Sequence, residues 1–223
     1  MNIGFNINNQ IERCSQEDIN YFKEVPVANI GDCMNRNACL SSALRPANKV
    51  KLCGSAYTIK SVAGDNLLLY YAIDNAKEND VIIYSADGYD NRAICGELMC
   101  SWAMKRKLGG IIIDGAVRDI EALSELDFPV YYKSVSPNGP FKNGPGEVNV
   151  PLAVRNQVIN PGDLIVGDSD GIICIKREDI PQLKEDVDKV MKKEQKIFEG
   201  VINNSFYEIG WVYDKLNENQ IKY

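Results

Sequence analysis

The amino-acid sequence predicts an α/β protein built as a mixed β/α sandwich. Apolar runs of strand length alternate with segments of helical spacing through the middle of the chain, and strand-like runs separated by turn residues follow one another near its end. Neither an internal repeat nor a low-complexity linker interrupts the pattern, so residues 1–223 are read as one domain, with a core over about 27–177 and a helical C-terminal extension over about 178–223.

Ser15, followed three residues later by Asp18, reads as a helix start leading into Ile19, Tyr21 and Phe22. A second short helix is expected near Gly31 and Asp32, within 27–36, and residues 52–62 then read as a strand. The Ala63-Gly64-Asp65-Asn66 stretch is a turn into an apolar helix over 67–75, and the run 80–86 is a buried strand. Residues 94–107 have helical spacing, with Leu98, Trp102 and Met104 near one face, and Gly109-Gly110 ends that helix. A short strand over 111–113, a turn at Asp114-Gly115-Ala116, a helix over 119–126 and a strand over 129–133 follow. The Pro, Gly and Asn content of 136–146 marks a loop. Three strand-like runs come next (148–154, 164–168 and 171–176), with a turn at 160–163 after the first, and then a long charged helix over 178–199. The last segment carries Phe206, Tyr207, Trp211 and Tyr213.

The net charge of −6 and the want of a basic cluster argue against a nucleic-acid partner. The N-terminus lacks a signal-peptide pattern and no apolar run approaches a membrane span, so a cytoplasmic protein with no membrane partner is expected. Seven cysteines without C-x-x-C spacing read as reduced, mostly buried thiols. The most restrictive fact is the absence of histidine. It removes Ser-His-Asp and Cys-His catalysis, His-rich zinc sites and the commonest general base. A metal here has to be a hard ion on oxygen ligands, Mg2+ or Mn2+.

The chemistry concentrates in Gly96-Glu97, followed after twenty intervening residues by Arg118-Asp119. Arg118 and Asp119 follow the 111–113 strand, and residues past strand carboxyl ends commonly line sites in α/β sheets. Two carboxylates suit a hard cation with its waters, and the guanidinium suits a carboxylate or a developing enolate. Gly64-Asp65-Asn66-Leu67 would add the N-terminus of a helix, whose N–H groups favour anions. By spacing alone, plainer roles stay open: Asp119 as a helix N-cap, Arg118 on a solvated face, Glu97 matched to a helix dipole, and 64–66 as a turn.

Read together, GDNLL (64–68), GELM (96–99), GGIIIDGAVRD (109–119), SPNGP (136–140), GEVNVP (146–151), NPGDLIVGDSDGI (160–172) and the Glu-rich last helix resemble the family of 4-hydroxy-4-methyl-2-oxoglutarate aldolase and the regulator of ribonuclease activity A, over about 27–200. The resemblance implies a β/β/α swivelling-type sandwich assembled as a homotrimer or a hexamer. Active members carry an acid, twenty residues and Arg-Asp, matched here by Glu97, Arg118 and Asp119. It implies that Asp119 binds the metal directly, that Glu97 acts through water, and that Arg118 binds a small 2-oxo acid. The 64–68 loop would give N–H groups to the substrate carboxylate, and Glu194 is the candidate for the acid supplied by a neighbouring subunit. Asp168 and Asp170 also match a family signature and read as turn formers. Arg155-Asn156-Gln157 departs from the glycine pair of many relatives, which bears on a hairpin and not on the chemistry.

The expected activity is therefore divalent-metal-dependent aldol cleavage or decarboxylation yielding pyruvate, with oxaloacetate as a further substrate. The rival is a regulator that docks on an RNA-degrading enzyme and inhibits it; such relatives lack a complete acidic set, and this chain has one. Methyl transfer to a quinone finds no support, since no glycine-rich cofactor fingerprint follows a strand.

Overall fold

The computed structural model describes residues 3–85, 87–154, 157–204 and 207–221. In chain order the elements are β1 (Phe5–Ile7), α1 (Gln16–Glu24), α2 (Val27–Cys33), β2 (Arg45–Pro46), β3 (Leu52–Ser61), α3 (Leu67–Asn75), β4 (Asp80–Ser85), β5 (Ala93–Cys95), α4 (Glu97–Lys105), β6 (Gly110–Val117), α5 (Ile120–Glu125), β7 (Val130–Val135), β8 (Gly146–Val148), β9 (Leu152–Val154), β10 (Gln157–Ile159), β11 (Leu164–Asp168), β12 (Gly171–Ile175), α6 (Ile180–Asn204) and α7 (Gly210–Glu218). They fall into two compact units, Met1–Leu183 and Lys184–Tyr223. The second consists of the remainder of α6 and α7, the expected helical extension.

Strands β3, β4, β6 and β7 run parallel and form the centre of a mixed sheet ordered β1-β8-β3-β4-β6-β7-β2. Their apolar content is nearly continuous because both faces are covered. Ile82 and Tyr84 of β4 and Ile111 and Ile113 of β6 face a core completed by Leu69 and Ile73 of α3 and Met99, Cys100 and Ala103 of α4. The alternate residues Val81, Ile83 and Ile112 face a second core with Leu152 and Val154 of β9, Ile159 of β10, Ile165 of β11 and Ile172 of β12. Helices thus cover one face and strands the other, which is the β/β/α layering the sequence led us to expect. Among the described residues no helix is long and apolar enough to cross a membrane.

Ser15 caps α1 as predicted, its side chain accepting from the Asp18 N–H at 3.1 Å. Asp168 also behaves as read: its Oδ1 accepts from the Asp170 N–H at 2.9 Å across the β11–β12 hairpin, while Oδ2 accepts from the Val27 N–H. All seven cysteines are free. Ala86, Arg155, Asn156 and Phe206 lie outside the described residues.

Four expectations need correcting. Residues 93–95 are a strand and not the start of a helix, because Ala93 and Cys95 pair with Ala116 and Val117 of β6. Leu98 is 84% exposed, and α4 buries Met99, Cys100 and Ala103 instead. Asp114-Gly115-Ala116 is not a turn: β6 continues to Val117 with an irregularity after Ile113, held between β5 and β7. The run 148–154 is broken, since Asn149 adopts φ 54° and places β8 and β9 in different sheets.

Candidate functional site

The carboxyl ends of β3, β5 and β6 converge on one edge of the sheet, and the residues that follow them carry the polar chemistry. The Arg118 N–H donates to the Cys95 carbonyl at 3.0 Å, which locks the end of β6 beside the end of β5. Asp119 then takes the left-handed conformation, φ 58° and ψ 41°, at the N-cap position of α5. Asp tolerates this region better than most residues, and such backbones cluster at functional sites. Its side chain does not cap α5. Instead Oδ2 accepts from the Glu97 N–H at 3.1 Å, at the head of the neighbouring helix α4, and lies 3.7 Å from Arg118 Nε. The structure therefore brings Glu97, Arg118 and Asp119 together across twenty intervening residues. Asp119 Oδ1 makes no hydrogen bond or ion pair among the described residues, which leaves it available to a cation or a donor.

Gly96 makes this arrangement possible. A Cβ there would stand 2.2 Å from Asp119 Oδ2 and 3.0 Å from Arg118 Cγ. Its backbone is extended, φ −153°, so the need for glycine is one of space and not of conformation. Glu97, Leu98 and Met99 open α4 and have no intrahelical acceptor for their N–H groups; only that of Glu97 meets the Asp119 carboxylate. The positive end of this helix thus faces a cavity of about 90 Å³ lined by Gly96, Leu98, Met99, Arg118, Asp119 and Lys142, among others. Cys95 lines it as well. A hydrogen bond with Cys100 and burial push the Cys95 thiol well above the ordinary range.

The 64–67 turn holds a different place from the one expected. The N–H groups of Asp65, Asn66 and Leu67 donate to Val62 O at 3.3 Å, Phe141 O at 2.9 Å and Asp65 Oδ1 at 2.9 Å. These three are committed within the protein. Asp65 is 1% exposed, and its Oδ2 accepts from the N–H groups of Asn143 and Gly144 at 2.5 and 2.9 Å. Gly64 holds φ +72°, with Arg92 and Tyr89 packed where a side chain would go. Asn66 alone of the four lines the cavity, its Nδ2 donating to the Ile94 carbonyl at 2.8 Å.

A family model described as RraA-like, aldolase/RraA, matches residues 27–174. The chain belongs to the RraA-like family. It is 35% identical over 167 residues to a Halalkalibacterium halodurans protein named putative 4-hydroxy-4-methyl-2-oxoglutarate aldolase, covering 73% of this chain and 80% of that one. An uncharacterized protein of Methanocaldococcus jannaschii is 33% identical over 175 residues, covering 74% and 84%. The solved structure of the RNA-processing inhibitor RraA from Thermus thermophilus matches with a TM-score of 0.64 at 25% identity, covering 68% of this chain and 93% of that one. An uncharacterized Pseudomonas syringae protein matches with a TM-score of 0.79 at 20% identity over 88% and 97%, a likeness of fold alone.

Within this RraA-like chain, Glu194 lies on α6 in the second compact unit, and the site described above belongs to the first. Among the described residues no three His, Cys, Asp or Glu side chains gather into a metal cluster. Sequence reasoning missed the open N-terminus of α4 and missed Lys142. GELM at 96–99 held the signal for the first, since a glycine before a helix with an acid at N1 marks a helix start; nothing near Lys142 marked it before Phe141 was seen to bridge to Asp65.

Proposed function

We propose that this protein is a divalent-metal-dependent carbon–carbon lyase that cleaves 4-hydroxy-4-methyl-2-oxoglutarate-type 2-oxo acids, and oxaloacetate, to pyruvate. One observation carries the reading: the Asp119 carboxylate, held in place by the head of α4, keeps one oxygen clear beside Arg118 in a cavity open to a helix N-terminus. The relatives' names give the reaction class. The donor set fits a hard cation, Mg2+ or Mn2+, with Asp119 as direct ligand and Glu97 acting through water. Such a cation supplies Lewis-acid polarisation of the 2-oxo group. In a homotrimer or hexamer, Glu194 of the neighbouring subunit would add a second carboxylate to the set that would hold the cation.

The chain's own residues then account for the rest. The Leu98 and Met99 N–H groups, in the first turn of α4, would receive the substrate carboxylate. Arg118 meets the 2-oxo oxygen and stabilises the enolate that develops there. In aldol cleavage the C4 hydroxyl loses its proton, the C3–C4 bond breaks, and its electron pair passes to the enolate as a new carbonyl forms at C4. Glu97, exposed at the head of α4, would move the proton that later arrives at C3 of pyruvate.

The test is pyruvate release from a panel of 2-oxo acids, after EDTA treatment and after magnesium add-back. Turnover that returns with the metal is expected; undiminished turnover in metal-free protein would sink the metal mechanism. The second reading, a regulator of an RNA-degrading enzyme, is favoured by the match to an RNA-processing inhibitor. It predicts co-purification with a ribonuclease and no pyruvate release under any condition.

A further inference from the structure

We propose that Cys95 and Cys100 form a redox-active dithiol, which a peroxide closes into a reversible disulfide at the head of α4; this modification site stands apart from the lyase reading above. The two sulfurs lie 3.9 Å apart, the Cys100 Sγ donating to the Cys95 Sγ. Both thiols are free. Those of Cys14, Cys53 and Cys174 donate to oxygen instead, at Gly162, Ile19 and Asp163.

The fold sets the pair across the junction of β5 and α4. Cys95 ends β5, where it pairs with Val117 of β6 and its carbonyl accepts from the Arg118 N–H at 3.0 Å. Cys100 lies early in α4, its N–H donating to the Gly96 carbonyl at 3.1 Å. Both backbones are held, so the sulfurs approach by side-chain rotation. A disulfide needs about 2.05 Å between sulfurs, and closure therefore draws them together by roughly 1.9 Å.

Access decides the order of events. Cys95 lines the cavity of about 90 Å³ beside Arg118, and Cys100 is fully buried. A space of that size admits a molecule as small as hydrogen peroxide. Cys95 is then the sulfur oxidised first and Cys100 the one that resolves it. The Cys95 sulfur takes one oxygen as the O–O bond breaks, giving a sulfenic acid and one water. The Cys100 sulfur attacks the Cys95 sulfur; the S–S bond forms, the S–O bond breaks, and the hydroxyl leaves as a second water with the Cys100 proton. Two electrons pass from the thiols to the peroxide, and an external thiol reopens the bond by exchange. The hydrogen bond with Cys100 and burial keep the Cys95 thiol protonated, so the pair answers a sustained rise in peroxide and not its resting level.

Closure pulls on Gly96 and Glu97. Gly96 has no spare room against Asp119, and the Glu97 N–H holds Asp119 Oδ2 at 3.1 Å. The disulfide should therefore shift the Asp119 carboxylate.

Both cysteines fall in one tryptic peptide, residues 93–105, which makes the test direct. The intact chain is treated with hydrogen peroxide, unfolded, alkylated and digested. The peptide is expected to be lighter by two hydrogens and unalkylated, and a phosphine should restore both thiols; oxygen added to Met99 or Met104 survives the phosphine and is read separately. In Cys100→Ser the same peptide should keep those hydrogens and take up dimedone, a sulfenic-acid trap, at Cys95. Magnesium titration of the oxidised parent should show affinity roughly 10- to 100-fold weaker, returning on reduction. A peptide that keeps both thiols, or Cys95 bonded to a cysteine of another peptide, would overturn the proposal whatever the variant does. A disulfide that leaves magnesium affinity unchanged would overturn its hold on Asp119. If the disulfide forms but the reduced chain neither binds magnesium nor releases pyruvate, the lyase reading fails and the modification site stands.

Discussion

Arg118 and Asp119 are neighbours in the chain and do different work, so their variants should fail differently. On the mechanism proposed above, Asp119→Ala would remove the metal's direct ligand along with the acceptor of the Glu97 N–H, and should abolish metal binding and turnover. Arg118→Lys keeps the charge and loses the two-pronged guanidinium contact, at about 2–4 kcal/mol of transition-state stabilisation with metal binding nearly intact. That is roughly 30- to 1,000-fold in kcat/KM. Calorimetric metal titration with kinetics on oxaloacetate separates the two, and parent-like behaviour of both variants would dismiss the site. Gly96→Ala is the subtler case. Its Cβ would stand 2.2 Å from Asp119 Oδ2, so the carboxylate must move even though the backbone can stay. A displacement of that order should cost about 10²-fold in kcat/KM while the melting temperature holds; an unchanged rate would show that the Asp119 position is not critical. The plain helix-cap reading of Asp119 was half right: it sits at the N-cap of its own helix and caps the neighbouring one.

The turn at 64–67 is the element that most changed its meaning between sequence and structure. Its glycine, its acid and the helix after it all form as expected, yet its N–H groups point to partners within the fold. Asp65→Ala should leave three N–H groups without their acceptor, at roughly 2–4 kcal/mol in chemical denaturation. A loss below about 1 kcal/mol would show that water replaces the carboxylate there. The Asp65↔Phe141 bridge spans 76 positions, and no local pattern announces a contact of that separation. The same cause hid β5. Ile94 and Cys95 lie at the head of the 94–107 stretch of helical spacing, and the ladder with β6 overrides that weak local preference.

At the scale of the whole molecule, one ion pair ties the N-terminal arm to the sheet. Arg13 meets Asp80 through Nε at 2.7 Å and Nη2 at 2.8 Å, and Asp80 is fully buried at the start of β4. Arg13 lies outside the family match at 27–174. Arg13→Ala strands a buried carboxylate that, among the described residues, keeps only the Lys77 N–H as a donor, and should cost roughly 3 kcal/mol in thermal or chemical unfolding. A change near zero would mean that Asp80 finds water or a proton cheaply. Assembly is the other expectation at this scale. Light scattering at micromolar concentration should report a trimer or hexamer, and a 24.9 kDa monomer would remove Glu194 from the site.

The sequence by itself determined the layered α/β class, most of the strands and helices, the absence of histidine chemistry, and the trio Glu97, Arg118 and Asp119. These are legible because hydrophobic period, turn residues and the spacing of charged groups are local properties of the chain. The tertiary structure alone decided which oxygen of Asp119 is committed and which stays clear, that Gly96 is glycine for want of space, that the N–H groups of Asp65, Asn66 and Leu67 are held within the fold, and that Lys142 lines the cavity. Each of these depends on a contact between segments far apart in sequence, and such contacts are set by how the layers pack, not by any stretch of residues that a single strand or helix contains.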